Sequence, residues 1–264
     1  MNIIVCIKQV PDTNEVKINQ ETGTLIREGV ESIINPDDKN ALEEALSLRE
    51  QAGGKVILLS MGPFQAKEAL KEGLAMGADE AWLLSDRAFG GSDTWATATI
   101  LAAAIEKIGN YDLILCGRQA IDGDTAQVGP EIAEFLGIPQ ITYAKKIAVK
   151  EDKLRVTRLT ENADYVMTVR TPCLLTAIKE LNEPRFPTVS RIFEVYDGEE
   201  DLIHILNFDD LTVDSTQIGL KGSPTNVMRS FVPVKEKKTE IIEGISEKEK
   251  AAALTEKLIE LKLF

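Results

Sequence analysis

Four short apolar runs punctuate the first half of the chain, at residues 2–7 (NIIVCI), 55–60 (KVILLS), 80–85 (EAWLLS) and 112–117 (DLILCG). Each is rich in Val, Ile or Leu and ends at a small residue or a turn, the pattern of a strand buried on both faces of a parallel sheet. Amphipathic helical patterns separate them. Residues 37–51 place Ala41, Leu42, Ala45 and Leu46 on one face, with Pro36 and the Asp37-Asp38 pair as start signals and Gly53-Gly54 as the stop. Residues 63–76 repeat the design with Ala66, Ala69, Leu70, Gly73 and Leu74 ahead of Gly77. Ser92 or Asp93 can cap a third helix running through Ile108. Asp124 can cap a fourth through Leu136, with Gln127 three residues on. The alternation predicts an α/β fold with right-handed crossovers and an open, doubly wound parallel sheet.

Three intervals depart from this rhythm. Between the first strand and the first helix, two short alternating runs around Glu21-Thr22-Gly23 predict a β-hairpin excursion. Residues 140–178 are β-rich, with hairpin tips at Glu151-Asp152 and Glu161-Asn162, and predict an antiparallel extension of the sheet. Beyond Asn182 the pattern is irregular, and residues 216–244, with the basic run Lys235–Lys238, have little periodicity. A last helix is announced by Ser246-Glu247-Lys248-Glu249 as a capping box and by the stripe Ala251, Leu254, Leu258 and Leu261. The expected division is a nucleotide-binding α/β domain over 1–215 and a C-terminal helical arm over 216–264. The final helix docks on another surface or packs on its own domain; periodicity alone leaves both open.

Composition narrows the function. Thirty Lys and Arg against 43 Asp and Glu give a formal charge of −13 in 264 residues, a poor match for nucleic acid, whose phosphates need clustered cations. No run of about 18 apolar residues is present, so no membrane insertion is expected. The N-terminal MNIIVCIKQV reads as a strand, not a signal peptide. Cys6, Cys116 and Cys173 are far apart and form no CxxC pair, which argues against a disulfide framework, a zinc site or an iron–sulfur cluster and fits a cytoplasmic setting. The cysteines read as small buried hydrophobes and the single histidine, His204, as structural; no metal site is expected.

In an open parallel sheet, ligands sit beyond the carboxyl ends of the strands where strand order reverses. That rule selects Cys6-Ile7-Lys8, Ser60-Met61-Gly62-Pro63, Ser85-Asp86 and Cys116-Gly117-Arg118-Gln119. Neither GxGxxG nor GxxxxGK[ST] occurs. The densest stretch is residues 116–130, CGRQAIDGDTAQVGP. Gly117, Gly123 and Gly129 permit close backbone approach, and a helix starting at Asp124–Gln127 offers free N–H groups to an anion, with Thr125 and Gln127 as side-chain donors. The alternative is a well-capped βα loop. Thr94 and Thr97 share the first turn of another helix, and two such starts facing one crevice would cradle a diphosphate; simple capping is the plainer account.

Several segments resemble the beta subunit of electron transfer flavoprotein. They are MNIIVCIKQVPDT, INPDDKNALEEAL, LLSMGP, LKEGLAMGADEAWLL, LILCGRQAIDGDTAQVGPEIAEFLGIPQ and LNEPRFPT, in the right order through most of the chain, with CGRQAID and AMGAD the most distinctive. The resemblance implies a Rossmann-like adenine-nucleotide domain and a heterodimer with a larger alpha subunit. It also implies structural AMP in conventional members or a whole FAD in flavin-bifurcating ones. Carried onto this sequence, Cys6, Ile7, Lys8, the Asn35-Pro36-Asp37-Asp38 loop and Ser60-Met61 would surround the adenosine. Cys116, Gly117, Arg118, Gln119 and the loop Asp122, Gly123, Asp124, Thr125, Ala126, Gln127, Val128 and Gly129 would wrap the phosphates. Conventional relatives carry a bulkier, more acidic-looking loop here; this one resembles the bifurcating form. Small Gly123, Ala126 and Gly129 would leave room past the first phosphate, with Thr94 and Thr97 holding the second.

Arg158 resembles the arginine that reaches the alpha-subunit flavin; read alone, it is a surface strand arginine. Leu181, Asn182, Glu183, Pro184 and Arg185, with Val189 as an apolar anchor, resemble the loop that docks on acyl-CoA dehydrogenases. The implied activity is acceptance of hydride from NADH by the FAD held here. Its electrons would be split between ferredoxin or flavodoxin and the alpha-subunit FAD, which serves an acyl-CoA dehydrogenase-type enzyme. Two alternatives stand beside it: a conventional subunit with AMP, and a nucleotide-binding stress or regulatory module.

Overall fold

Apolar runs with no polar face become strands that need cover on both sides, and the helices between them supply it. The computed structural model describes residues 1–12, 17–18, 25–26, 32–151, 153–198, 202–228 and 239–263. In chain order the elements are β1 (Ile3–Cys6), β2 (Gln9–Pro11), β3 (Lys17–Ile18), β4 (Leu25–Ile26), β5 (Ser32–Ile34), α1 (Pro36–Ala52), β6 (Val56–Met61), α2 (Lys67–Met76), β7 (Glu80–Leu84) and α3 (Thr94–Ile108). There follow β8 (Leu113–Gly117), α4 (Val128–Phe135), β9 (Gln140–Lys150), β10 (Lys153–Leu159), β11 (Asp164–Arg170), β12 (Cys173–Ala177), α5 (Val189–Asp197), β13 (Ile203–Leu206), the single turn α6 (Gly219–Gly222) and α7 (Glu247–Glu260).

The main sheet has nine strands in the order β11-β10-β9-β12-β8-β1-β6-β7-β13. From β1 the chain moves outward through β6 and β7, then returns to the other side of β1 as β8, so strand order reverses between β1 and β8. Ile3, Val5 and Leu58 pack beneath Leu42 and Leu46 of α1 and Leu70 of α2. Ile4, Leu59 and Ile114 face the other way, onto Ile100 and Ile105 of α3 and Ile132 of α4. This is the period-two alternation of a strand sandwiched between two helical layers. Each fully buried Leu or Ile in these layers contributes on the order of 2 kcal/mol.

The fold class is as the pattern implies, and several local expectations are corrected. β9, β10 and β11 pair antiparallel, but β12 enters parallel between β9 and β8. The fourth helix starts at Val128, not Asp124; Gln127 makes no side-chain cap, and Asp124 stands in a left-handed turn at φ 50°. Residues 189–197, expected irregular, form α5, whose N-cap Thr188 accepts from Arg191 N and which lies on α2. β13 adds a parallel edge strand in which His204 sits opposite Trp82, ring centroids 4.6 Å apart. β3 and β4 pair antiparallel, as a hairpin requires, while Glu21-Thr22-Gly23 and the Lys235–Lys238 run lie outside the described residues. Ser246 caps α7, but Glu249 accepts from Ile245 N rather than closing a reciprocal box.

The chain divides into two compact units, Met1–Met228 with the sheet and Arg229–Phe264 with α7. Within the second, Lys257 pairs with Glu240 at 3.1 Å. Among the described residues, no helix is long and apolar enough to cross a membrane, and no cluster of His, Cys, Asp and Glu could hold a metal. The three cysteines are unpaired.

Candidate functional site

The reversal point places Cys6 of β1 directly beside Cys116 of β8. The hydrogen-bonding contact with Cys6, together with burial, holds the Cys116 thiol well above its ordinary range, so it serves as a wall rather than a nucleophile. Across the two strand ends runs the turn into α1. Asp38 is buried and accepts from Lys8 N at 2.8 Å with one oxygen and from Gly117 N at 2.9 Å with the other. Asn35 donates to Gln119 O at 2.8 Å and accepts from Ile121 N at 3.0 Å. One short turn thus fixes the backbone beyond both strands. A side chain at Gly117 would overlap Asp38 Oδ1 and crowd the Asp37 carbonyl carbon at 2.8 Å, so only glycine permits the approach.

Electrostatics follow from this burial. Asp38's carboxyl is pushed up to about 7 by loss of water, against hydrogen bonds from Asn35, Lys8 and Gly117 that favour the anion. Asp37 is also raised by burial, opposed by Arg118, whose Nε lies 3.3 Å from Asp37 Oδ2. Lys8 Nζ reaches both oxygens of Asp122, at 2.7 and 2.8 Å, and ties the loop after β8 to the loop after β1. Gln119 Nε2 donates to Asp124 at 2.7 Å.

The remaining predicted residues separate into groups. Ser60 stands one residue beyond the β6 residue paired with Cys6; it is buried, and its Oγ has no hydrogen-bond partner among the described residues. A hydroxyl in that condition costs stability unless something else satisfies it. Met61 follows, half-buried. Residues 122–125 and Gln127 are exposed, and nothing lies within 4 Å of where a Gly123 side chain would be. Ala126, like Asp124, is left-handed, at φ 54°. Gly129 does not open space as expected: Thr176 Cγ2 would lie 2.9 Å from its Cβ, so it serves close helix–sheet packing beside Val128.

Asp93 caps α3, and Thr94 Oγ1 donates to Glu131 Oε1 at 3.2 Å, which brings the starts of α3 and α4 together; Thr97 lies in the same first turn. Sequence reasoning missed Glu131. An acidic residue in a first turn reads as a complement to the helix dipole. Here its Oε2 is buried without a partner among the described residues, and burial raises its pKa.

Two predicted groups are not at the crevice. Arg158 lies on β10, separated from β8 by β9 and β12, at a register shift in the pairing with β9. The residues expected to dock a partner sit over α1. Asn182 exchanges amide contacts with Asn40 and donates to Glu44, and Arg185 clamps Glu43 and Glu50 with its guanidinium. Both turn inward and hold the loop. Leu181 packs on the core, Pro184 is half-buried and Glu183 exposed. The outward face is apolar: Phe186 is 90% exposed, Val189 70% and Phe193 62%.

A family profile described as "Electron transfer flavoprotein domain" matches residues 22–197. The chain is 60% identical to the electron transfer flavoprotein subunit beta of Thermoanaerobacterium thermosaccharolyticum, over 98% of each chain. It is 54% identical, again over 98% of each, to the caffeyl-CoA reductase-Etf complex subunit CarD of Acetobacterium woodii. With the acryloyl-CoA reductase electron transfer subunit gamma of Anaerotignum propionicum it shares 46% identity over the same share of both chains.

Proposed function

The chain belongs to the electron transfer flavoprotein family, and from that premise we propose that it is the beta subunit of a heterodimer and carries FAD in the crevice between β1 and β8. When bound, the flavin would supply acceptance of hydride from NADH and delivery of single electrons, one to ferredoxin or flavodoxin and one towards the FAD of the alpha subunit. The chain's own residues bind and orient. Cys6, Ile7, Ser60 and Met61 border the adenosine, with the Ser60 hydroxyl as the unsatisfied polar group awaiting a partner. Asn35 and Asp38 act one step back, because every polar side-chain atom they have is spent on the backbone of 8, 117, 119 and 121. Residues 117–119 and 122–128 border the phosphates, and Thr94 and Thr97 extend that border to a second one.

The observation that carries FAD over a mononucleotide is the open loop at 122–127, with free space at Gly123 beyond the Asn35–Asp38 frame. The likeness to chains named for caffeyl-CoA and acryloyl-CoA reductases supports an acyl-CoA dehydrogenase-type partner. The apolar face of Phe186, Val189 and Phe193 is where it would dock. Arg158 would act across the subunit boundary on the alpha-subunit flavin, as a cation favouring the reduced anion. Residues 216–264 would form the arm that embraces the alpha subunit.

The test is a count. The co-purified heterodimer should contain two FAD and no AMP, and its flavin absorbance should bleach with NADH. One FAD with one AMP, and no response to NADH, would establish the conventional reading instead.

A further inference from the structure

Beyond β13 the chain returns to the start of α3 before it reaches the second unit, and there a group of polar contacts holds it that no part of the nucleotide reading uses. Asp93 Oδ1 accepts from Ala96 N at 3.1 Å, the N-cap of α3. Its other oxygen accepts from both Thr225 N and Thr225 Oγ1, each at 2.8 Å. Asp93 N donates to Ser223 Oγ at 2.8 Å, and that hydroxyl donates to Gly219 O at 2.8 Å. Gly219 N donates to Ser92 Oγ at 3.1 Å, and Leu220 N to Gly90 O at 3.1 Å. Gly219 is left-handed at φ 62°, and a Cβ there would overlap Ala88 O. The contact is built, not incidental.

The choice of side chain is informative. Ser, Thr or Asn would cap α3 as well as Asp does, since a cap needs one acceptor. Only a carboxylate presents acceptors to Ala96 N and to Thr225 at once, because the second group of an Asn is a donor.

We propose that Asp93 is a positioning residue that acts on two segments at once, building the first turn of α3 and mooring the 219–225 connector to it. The helix start that carries Thr94 and the root of the C-terminal segment are thereby one mechanical piece. Hydrogen bonds to Ala96 and Thr225 outweigh burial and keep the carboxyl below its ordinary range, so the mooring is charged at neutral pH. The consequence for cofactor binding rests on the reading above: FAD at the start of α3 would also quieten the connector.

Hydrogen–deuterium exchange on the full chain, co-purified with its alpha subunit, tests both statements. Asp93→Asn keeps the cap but points a donor at Thr225. Exchange at Gly219, Leu220 and Thr225 should accelerate at least tenfold, while amides inside α3 keep their protection. Thr225→Ser should exchange like wild type and Thr225→Val should not, and adding Thr225→Val to Asp93→Asn should bring no further acceleration. Connector amides as slow in Asp93→Asn as in wild type would overturn the mooring, as would equal loosening of all of α3. In the flavin-depleted complex, added FAD should slow exchange both at 117–123 and at 219–225, the latter in wild type but not in Asp93→Asn. FAD protection confined to 117–123 would overturn the coupling. Protection at neither place would overturn the crevice reading, and the nucleotide-free comparison would still decide the mooring.

Discussion

A carboxylate shut away from water must be held by donors, and Asp38 is held by backbone N–H groups from just beyond β1 and from the last residue of β8. Because burial lifts its carboxyl from 3.8 to about 7, the folded chain binds this proton more tightly than the unfolded one. The sign is that of a raised pKa: the stability is fully present below the unfolded value and is lost as pH rises through about 7. Asp38→Asn should be less stable by roughly 1–3 kcal/mol, since an amide cannot accept from both N–H groups. It should also lose less stability than wild type between about pH 5 and about pH 8. Urea denaturation at both pH values measures this, and parallel slopes for the two proteins would refute it. Two glycines make a sharper pair. Gly117→Ala drives a methyl into Asp38 and should cost about 2–4 kcal/mol. Gly123→Ala meets open space and should stay within about 0.5 kcal/mol of wild type. Thermal melts of the two variants compare them directly, and equal losses would mean that the frame around 117 is not rigid.

Elements that bury both faces announce themselves, and those that do not stay hidden. β1, β6, β7 and β8 are legible because a doubly covered strand can hold only apolar residues. α4 begins late because Asp124, which looks like a cap, is used in a left-handed turn linked to Gln119. No local rule distinguishes that Asp from a capping one. α5 hides behind Pro184 and Pro187, and its outward residues Val189 and Phe193 are apolar, which blurs the usual contrast of faces. β13 is four residues long at a sheet edge, too short for period to show. At the proposed docking loop, Arg185 reads as a contact for a partner, yet it clamps Glu43 and Glu50 of α1. These side chains are partly exposed, so Arg185→Ala should cost only about 1 kcal/mol of global stability. If the loop docks an acyl-CoA dehydrogenase-type enzyme, as proposed, the larger effect should fall on that reaction: a raised KM with kcat preserved, because a loosened loop docks less often. Val189→Asp should raise that KM further with no change in melting temperature. A normal KM in Arg185→Ala would mean the clamp does not position the loop.

At the scale of the molecule, the site is legible to the degree that it is local. Cys6, Lys8, Asn35, Asp38 and residues 116–127 converge because the strand-order reversal puts them together, which alternation of elements already implies. The division of labour among them is not legible, since a sequence does not say whether a buried Asp meets a ligand or a backbone N–H. Nor does it reveal Glu131, which matters only through the meeting of two helices distant in sequence. Distribution of the core supports a further expectation. Among the described residues, every buried apolar side chain lies at or before Ile218, and α7 buries none. Among the described residues, the buried apolar side chains of the sheet and its two helical layers all belong to the first unit, Met1–Met228. A chain ending at Met228 should keep its far-ultraviolet circular dichroism and melt within about 5 °C of the full chain, a shift corresponding to roughly 1–2 kcal/mol for a domain of this size. If the part of the 216–264 arm beyond Met228 holds the alpha subunit, the same truncation should abolish co-purification of that subunit. A shortened chain that still pulls down its partner would move the subunit contact onto the first unit. One that fails to fold would show that the C-terminal segment completes the core.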